Sequence, residues 1–493
     1  MNAMRNQLII LLILCFFAGH IQAQSLPGKP DSLYSNSLKE KRKFQVIFPE
    51  KYKAGDTTKL EVLYVLDGDW NTKMVNDSRT LLEETAFMPQ VIVVAILNTD
   101  RDRDFTPRHQ VSLPVSGGAS HFLAFVKTEL IPYIDQHYPT KKSRTFFGHS
   151  FGGVFGMYTL LTEPRLFSSY ILADPAFSFT QGYIDSLAKA NLGAVPSGTS
   201  LYMTGREGID GRRMGIDSIT YMLSHYATAN LHWQSVSYPY ETHSTVRIKS
   251  IFDGLKFTYA GYDSRIIHIN PEGGRILKDV PFTLICYNQP AGYVRYSKDG
   301  TVPTHTATAL QEKTSFTFSK NVVLKLKSDY NRPDYNNSAS AAFTVGTTLP
   351  AITRPSGLTP GGLHFTYSEE NEAKPSKTGM LSRFFDPAQF SVDKTFNCLV
   401  EGYIEIKKAG YYTFVLNGKE SSKLELGGLQ LISPGHPIGN THFQSYMVPL
   451  EKGFYPVRLE YSHQKTDRPT FLSWFQPGEE TDNELPPGQL FGK

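Results

Sequence analysis

A serine flanked by glycines, in the run Gly148-His149-Ser150-Phe151-Gly152-Gly153, is the part of this chain whose residue types can do covalent chemistry. An apolar strand, Arg144–Phe147, leads into it, and a helical stretch, Val154–Leu161, follows at once. Small residues on both sides of a serine permit the sharp strand-to-helix turn that pushes its hydroxyl out at the carboxyl edge of a sheet. At a helix start, the dipole and free N–H groups favour negative charge developing on a substrate oxygen. The spacing therefore predicts Ser150 as a nucleophile.

A serine hydroxyl needs an imidazole to take its proton, and the imidazole needs a carboxylate to orient it. With an elbow of this kind the chain order is serine, acid, histidine, the last two on loops after later strands. His225 falls in the helix-like stretch Asp217–His225 and His232 opens a strand, so both read as structural. His243 stands in Tyr238-Pro-Tyr-Glu-Thr-His-Ser, a loop between the last strand and the final helix, and is the expected base. The acid is expected after the strand Leu201–Met203, where Glu207 lies nearer the strand end and Asp210 is its rival. Phe151 is one expected N–H donor to an oxyanion. Asp69, in the turn Asp67-Gly68-Asp69-Trp70, is the other.

Those residues need a scaffold. From about Lys43 to Tyr262, short apolar strands alternate with helical stretches: Phe44–Phe48, Leu60–Leu66, Val91–Leu97, Arg144–Phe147, Tyr170–Leu172, Leu201–Met203 and His232–Ser237 are the strands. The clearest helix is Ser120–His137, with Phe122, Phe125, Val126, Leu130 and Ile134 on one face and Pro132 as a kink. Such alternation predicts an α/β class with a mostly parallel central sheet covered on both faces. After Tyr262 the helical pattern stops. Two β-rich blocks follow, each predicted to be a small sandwich, with a Thr/Pro/Gly-rich linker between them. The expected divisions are an α/β domain over 24–263, a β-sandwich over 264–346, a linker over 347–360 and a second sandwich over 361–480.

A charged start at Arg5, an apolar run Leu8–Ala18 and the small residue Ala23 before Gln24 predict a secretory signal peptide over 1–23, hence an exported, periplasmic or extracellular protein. The apolar run is too short for a membrane span. A net charge of +4 over 493 residues, with no Lys/Arg cluster, argues against nucleic acid or an anionic membrane as partner. Beyond the signal, Cys286 and Cys398 read as buried apolar residues, and no Cys/His spacing suggests a zinc site. Neither metal nor cofactor is expected.

Several separate motifs resemble the esterase D-like branch of the α/β hydrolases, which includes enterochelin and feruloyl esterases and mycolyltransferases. They are Tyr64-Val-Leu-Asp-Gly-Asp, Asn98-Thr-Asp-Arg-Asp-Arg-Asp-Phe-Thr-Pro107, Phe122–Tyr138, Gly148–Gly153 and Glu241-Thr-His-Ser-Thr-Val246. The resemblance implies a Ser–acid–His hydrolase with its oxyanion donor after an Asp-Gly pair, in agreement with Asp69. It also draws attention to Arg101 and Asp104. Arg101 would meet an anionic or carbonyl group of the substrate, or else pair with Asp100 or Asp104 to fix its loop. Where many relatives carry a Ser-Pro-Ser-like stretch, this chain has Ala173-Asp174-Pro175-Ala176-Phe177, so its substrate wall differs. Arg101, Trp70 and Asp174 are the expected substrate contacts.

Tyr293–Thr304 and Val322–Ser328 resemble the immunoglobulin-like domain at the end of chitobiases, and Gly402–Ile406, Gly410–Leu416 and Leu450–Trp474 resemble a PA14 domain. The paired aspartates of calcium-dependent PA14 lectins have no counterpart in Asn417-Gly-Lys-Glu-Ser-Ser. The expected activity is hydrolysis of an acylated carbohydrate or plant-derived ester, with glycan or protein contact through the β modules. The alternatives are a siderophore esterase, an acyltransferase and a non-catalytic binding scaffold.

Overall fold

The computed structural model describes residues 28–53, 55–262, 267–287, 293–330, 332, 335–369, 377–385, 389–390, 393–418, 422–433, 443–465 and 470–493. The expected signal segment lies outside the described residues. The chain divides into two compact units after Tyr262.

The first unit is built on an eight-stranded sheet: β1 (Lys29–Ser35), β2 (Glu40–Ile47), β3 (Leu60–Val65), β4 (Val91–Ile96), β5 (Thr140–His149), β6 (Ser169–Ala173), β7 (Thr199–Arg206) and β8 (Leu231–Tyr238). Its spatial order is β1-β2-β4-β3-β5-β6-β7-β8. β2 runs antiparallel to β1 and β4, and every pair from β4 to β8 is parallel. β3, β4 and β6 are buried at every residue, as strands covered on both faces must be. β1 is missing from the sequence reading because its residues, Lys-Pro-Asp-Ser-Leu-Tyr-Ser, are polar enough to read as loop, and only pairing with β2 makes them a strand.

The long amphipathic helix contains a π-turn, Val126–Leu130, between Ala119–Phe125 and Ile131–His137. Pro132 cannot donate to the ladder and its ring crowds the preceding turn, which the wider π-turn accommodates. Phe122, Phe125, Leu130 and Ile134 of this face join Phe146 and Phe155 in one core.

The second unit, from Asp263 onward, differs from two beads on a linker. A nine-stranded sheet crosses both β blocks, because Gly273–Leu277 of the first block runs parallel to Phe443–Leu450 of the second. Met447 packs in the core of the first block, against residues that include Phe343 and Leu324. Glu272 and Ser445 are tied across the seam, Glu272 N–H donating to Ser445 Oγ at 3.0 Å and Ser445 N–H donating to Glu272 Oε2 at 3.1 Å. Two smaller layers complete the packing: Lys313–Phe316, Phe282–Tyr287 and His268–Asn270 on one block, and a sheet centred on Phe396–Ile406 and Gly453–His463 on the other. The stretch 347–360, expected as a linker, is itself pinned, Leu349 N–H donating to Pro449 O at 2.9 Å and Ile352 N–H to Phe454 O at 3.0 Å. Cys286 and Cys398 are both buried and free. Among the described residues no helix is long and apolar enough to cross a membrane.

Candidate active site

β5 ends at His149, and Ser150 follows with φ 59° and ψ −117° before the helix Phe151–Thr162. A positive φ is costly for serine and marks a strained turn. Two glycines let it exist. A Cβ on Gly148 would collide with the Gly152 carbonyl, and one on Gly153 would sit 2.9 Å from Pro175 Cβ. The turn is held from the next strand, Ser150 N–H donating to Ala173 O at 2.9 Å.

His243 lies in the loop between β8 and the helix Val246–Thr258, as expected. Its Nδ1 is 2.7 Å from Asp174 Oδ2. A carboxylate only accepts here, so Nδ1 is the donor. Asp174 is fully buried and has φ 41°, immediately after β6, with its N–H donated to Thr204 O of β7 at 3.0 Å. The same Oδ2 accepts from Arg206 Nε at 2.5 Å.

This differs from the expected acid. Glu207 N–H donates to Tyr238 O at 3.0 Å, continuing the β7–β8 ladder, and its side chain is exposed. Asp210 sits in the short helix Ile209–Arg212, is 80% exposed and lies 3.7 Å from Arg213. The carboxylate that meets His243 is Asp174, which was expected to touch substrate and instead is sealed beneath the histidine.

His243 is also gripped by its main chain. His149 Nε2 is 2.7 Å from the His243 carbonyl oxygen, and the two rings stand 4.4 Å apart. Burial first, then the electrostatics of His243, drive the His149 pKa down to about 3. His149 is therefore neutral around pH 7, and the carbonyl, an acceptor only, places its proton on Nε2.

The expected oxyanion donors both stand in first turns of helices, where N–H groups have no intrahelical acceptor. Phe151 opens Phe151–Thr162, and Asp69 is the second residue of Gly68–Glu84. The left-handed residue in the second turn is Asp67, φ 53°, not Gly68. Gly68 is needed for another reason: a Cβ there would stand 2.9 Å from Ile96 O of β4.

Arg101 fixes this turn. Its Nε donates to Asp67 Oδ1 at 2.7 Å and its Nη2 to His149 O at 3.2 Å, while Asn98 Nδ2 reaches Asp67 Oδ1 at 3.0 Å. The guanidinium also lies over the Phe151 and Trp70 rings, at 5.3 and 5.7 Å. Arg101 thus clamps the Asp67–Trp70 turn to the serine elbow rather than standing free for an anion. The partners expected as its alternatives serve elsewhere: Asp100 caps its helix through Arg103 N–H, and Asp104 pairs with Arg42 and Arg103. Trp70 is 60% exposed, and exposed Phe179 meets Phe151 edge-on at 5.3 Å. Of the other histidines, exposed His225 has Nδ1 2.9 Å from Tyr221 O on its own helix, and His232 stacks on Phe257 at 4.6 Å.

A sheet in this order, a serine on a strained turn after its fifth strand and a histidine after its last define the α/β-hydrolase fold. Residues 35–204 match the family model described as Putative esterase, and residues 387–485 match that of the PA14 domain. The chain is 30% identical over 187 residues to the ferri-bacillibactin esterase BesA of Bacillus subtilis, covering 34% of this chain and 64% of that protein. It is 26% identical over 187 residues to a siderophore enterobactin esterase of Emericella nidulans, covering 32% and 58%. An IroE-like serine hydrolase from Shewanella oneidensis aligns with a TM-score of 0.43 at 25% identity, over 49% of this chain and 81% of that one. The chain spans about six-tenths of the length of the curated relatives it matches.

Proposed function

We propose that the chain is a serine carboxylic-ester hydrolase working through an acyl-enzyme, with Ser150 as nucleophile, His243 as base and Asp174 as the acid that orients it. The observation that carries this reading is the 2.7 Å contact between His243 Nδ1 and the sealed Asp174 carboxylate, at the sheet edge where the Ser150 turn also lies. With Nδ1–H given to Asp174, Nε2 takes the Ser150 hydroxyl proton as Oγ attacks the ester carbonyl. The Phe151 and Asp69 N–H groups receive the oxyanion, and Nε2–H passes its proton to the departing alcohol. Water, deprotonated by the same nitrogen, then adds to the acyl-enzyme and releases acid and free serine.

For substrate, a siderophore ester stands level with an acylated glycan, since the names of two relatives specify siderophore esters. Exposed aromatic rings at Trp70 and Phe179 suit an aromatic acyl or catechol group. An acylated glycan is the second reading, favoured by the PA14 match over 387–485. Export, expected from residues 1–23, is compatible with both. Ser150→Ala should lower hydrolysis of p-nitrophenyl butyrate by about 10⁴-fold or more with an unchanged thermal midpoint. Retained turnover would sink the assignment. A panel setting a catecholate trilactone against acetylated and feruloylated glycans, compared by kcat/KM, decides the ester.

A further inference from the structure

The strand end where an acid was expected carries an arginine, and that arginine reaches the acid from its neighbour. Arg206, the last residue of β7, donates Nε to Asp174 Oδ2 at 2.5 Å, the same oxygen that lies 2.7 Å from His243 Nδ1. Asp174 Oδ1 has no hydrogen-bond partner among the described residues, so both contacts converge on one oxygen. The Arg206 side chain is 10% exposed and that of Asp174 wholly buried. A buried carboxylate that meets only a neutral imidazole is poorly compensated, and its orientation is fixed by a single contact. A guanidinium at Oδ2 supplies the opposite charge and a second anchor.

We propose that Arg206 is a positioning residue of the esterase, holding the Asp174 carboxylate in the one orientation that presents Oδ2 to His243. The inference rests on the reading of Asp174 as the acid. Arg206 acts through Asp174 and His243 and has no role in binding the ester, so its loss lowers kcat and leaves KM alone. A cavity of about 300 Å³ lined by Gly205, Arg206, Gly208, Gly211 and Ser237 adjoins it. That space gives a small cation a route to the place an Arg206 truncation would vacate.

The experiment measures p-nitrophenyl butyrate hydrolysis by the full chain carrying Arg206→Ala, Arg206→Lys or Asp174→Asn. Arg206→Ala should lower kcat by roughly 10²-fold, the loss expected for a misplaced catalytic group, with KM within about twofold. Added guanidinium ion, at tens of millimolar, should recover several-fold of that loss in Arg206→Ala and nothing in Asp174→Asn. Arg206→Lys should retain most of kcat. Where Arg206→Ala does not fold, Arg206→Gln is read for the same split between kcat and KM. The proposal is overturned by a folded variant with wild-type kcat, by a change confined to KM, or by a kcat loss that neither lysine nor guanidinium recovers. A wild-type kcat in Asp174→Asn would instead remove the triad reading beneath it.

Discussion

Each unit of the chain carries a carboxylate at the end of a strand, buried at Asp174 and half-buried at Glu272, and the two are treated differently. Asp174 follows β6 and is met by an imidazole N–H and a guanidinium on one oxygen. Glu272 precedes Gly273–Leu277 and is met by the Ser445 backbone N–H, with no cation reaching it among the described residues. Burial consequently pushes the Glu272 carboxyl up to about 7, against the downward pull of the Ser445 hydrogen bond. Placing the cation or leaving it out decides whether the carboxylate is held by an ion pair or by main-chain hydrogen bonding alone. The hydrolase unit takes the first course, where a charge must orient a base. The β unit takes the second, where two blocks of sheet must be sewn together.

The comparison breaks most visibly at Asp174. Asp174→Asn should lower kcat by about 10³-fold or more, because an amide no longer dictates which imidazole nitrogen carries the proton; steady-state kinetics check this, and a loss under tenfold would refute it. Next in size is Arg101→Met, which frees the Asp67 turn from the elbow. A kcat reduced roughly 10- to 100-fold with little change in KM is expected, whereas a rise in KM alone would return Arg101 to the substrate.

Glu272→Gln addresses the other side. The folded carboxyl holds its proton up to about 7, above the 4.5 of an ordinary glutamate side chain. The folded state therefore binds more protons between these values than the unfolded one. The contribution is full below the lower value and is lost as pH rises through the higher, by about 3 kcal/mol. The midpoint of the β unit's unfolding, followed from about pH 5 to pH 8, should fall in the native chain and stay flat in Glu272→Gln. The smallest expected effect sharpens the contrast: Glu207→Gln and Asp210→Asn, exposed carboxylates with no contact to His243, should stay within about twofold of native kcat.

What was readable in the sequence followed from local physics. The glycines around Ser150 and the loop position of His243 are features of single segments, and the structure has them as read. The alternation of strands and helices gave seven of the eight strands of the first sheet. Asp174 was not readable as the partner of His243, because which strand end lies under a histidine from β8 is settled through space. An acid directly after an apolar strand and before proline is the available signal, and in the sequence alone it reads as substrate wall. Arg101 misled for the same reason, since its partner Asp67 stands 34 residues away. The nine-stranded sheet was hidden because the parallel pair Gly274 and Met447 joins segments that share no local pattern.

That sheet bears on how the molecule can be divided. A chain of independent beads tolerates cutting between beads, but a ladder of hydrogen bonds running through both blocks does not. Removing residues 263–346 would take away the partner of Phe443–Leu450 at Met447 and open that stretch of edge to pairing with another copy, while Leu349 still pairs at Leu450. The β half should therefore melt as one cooperative body, and fragments taken from either side of the seam should precipitate where the whole remains in solution.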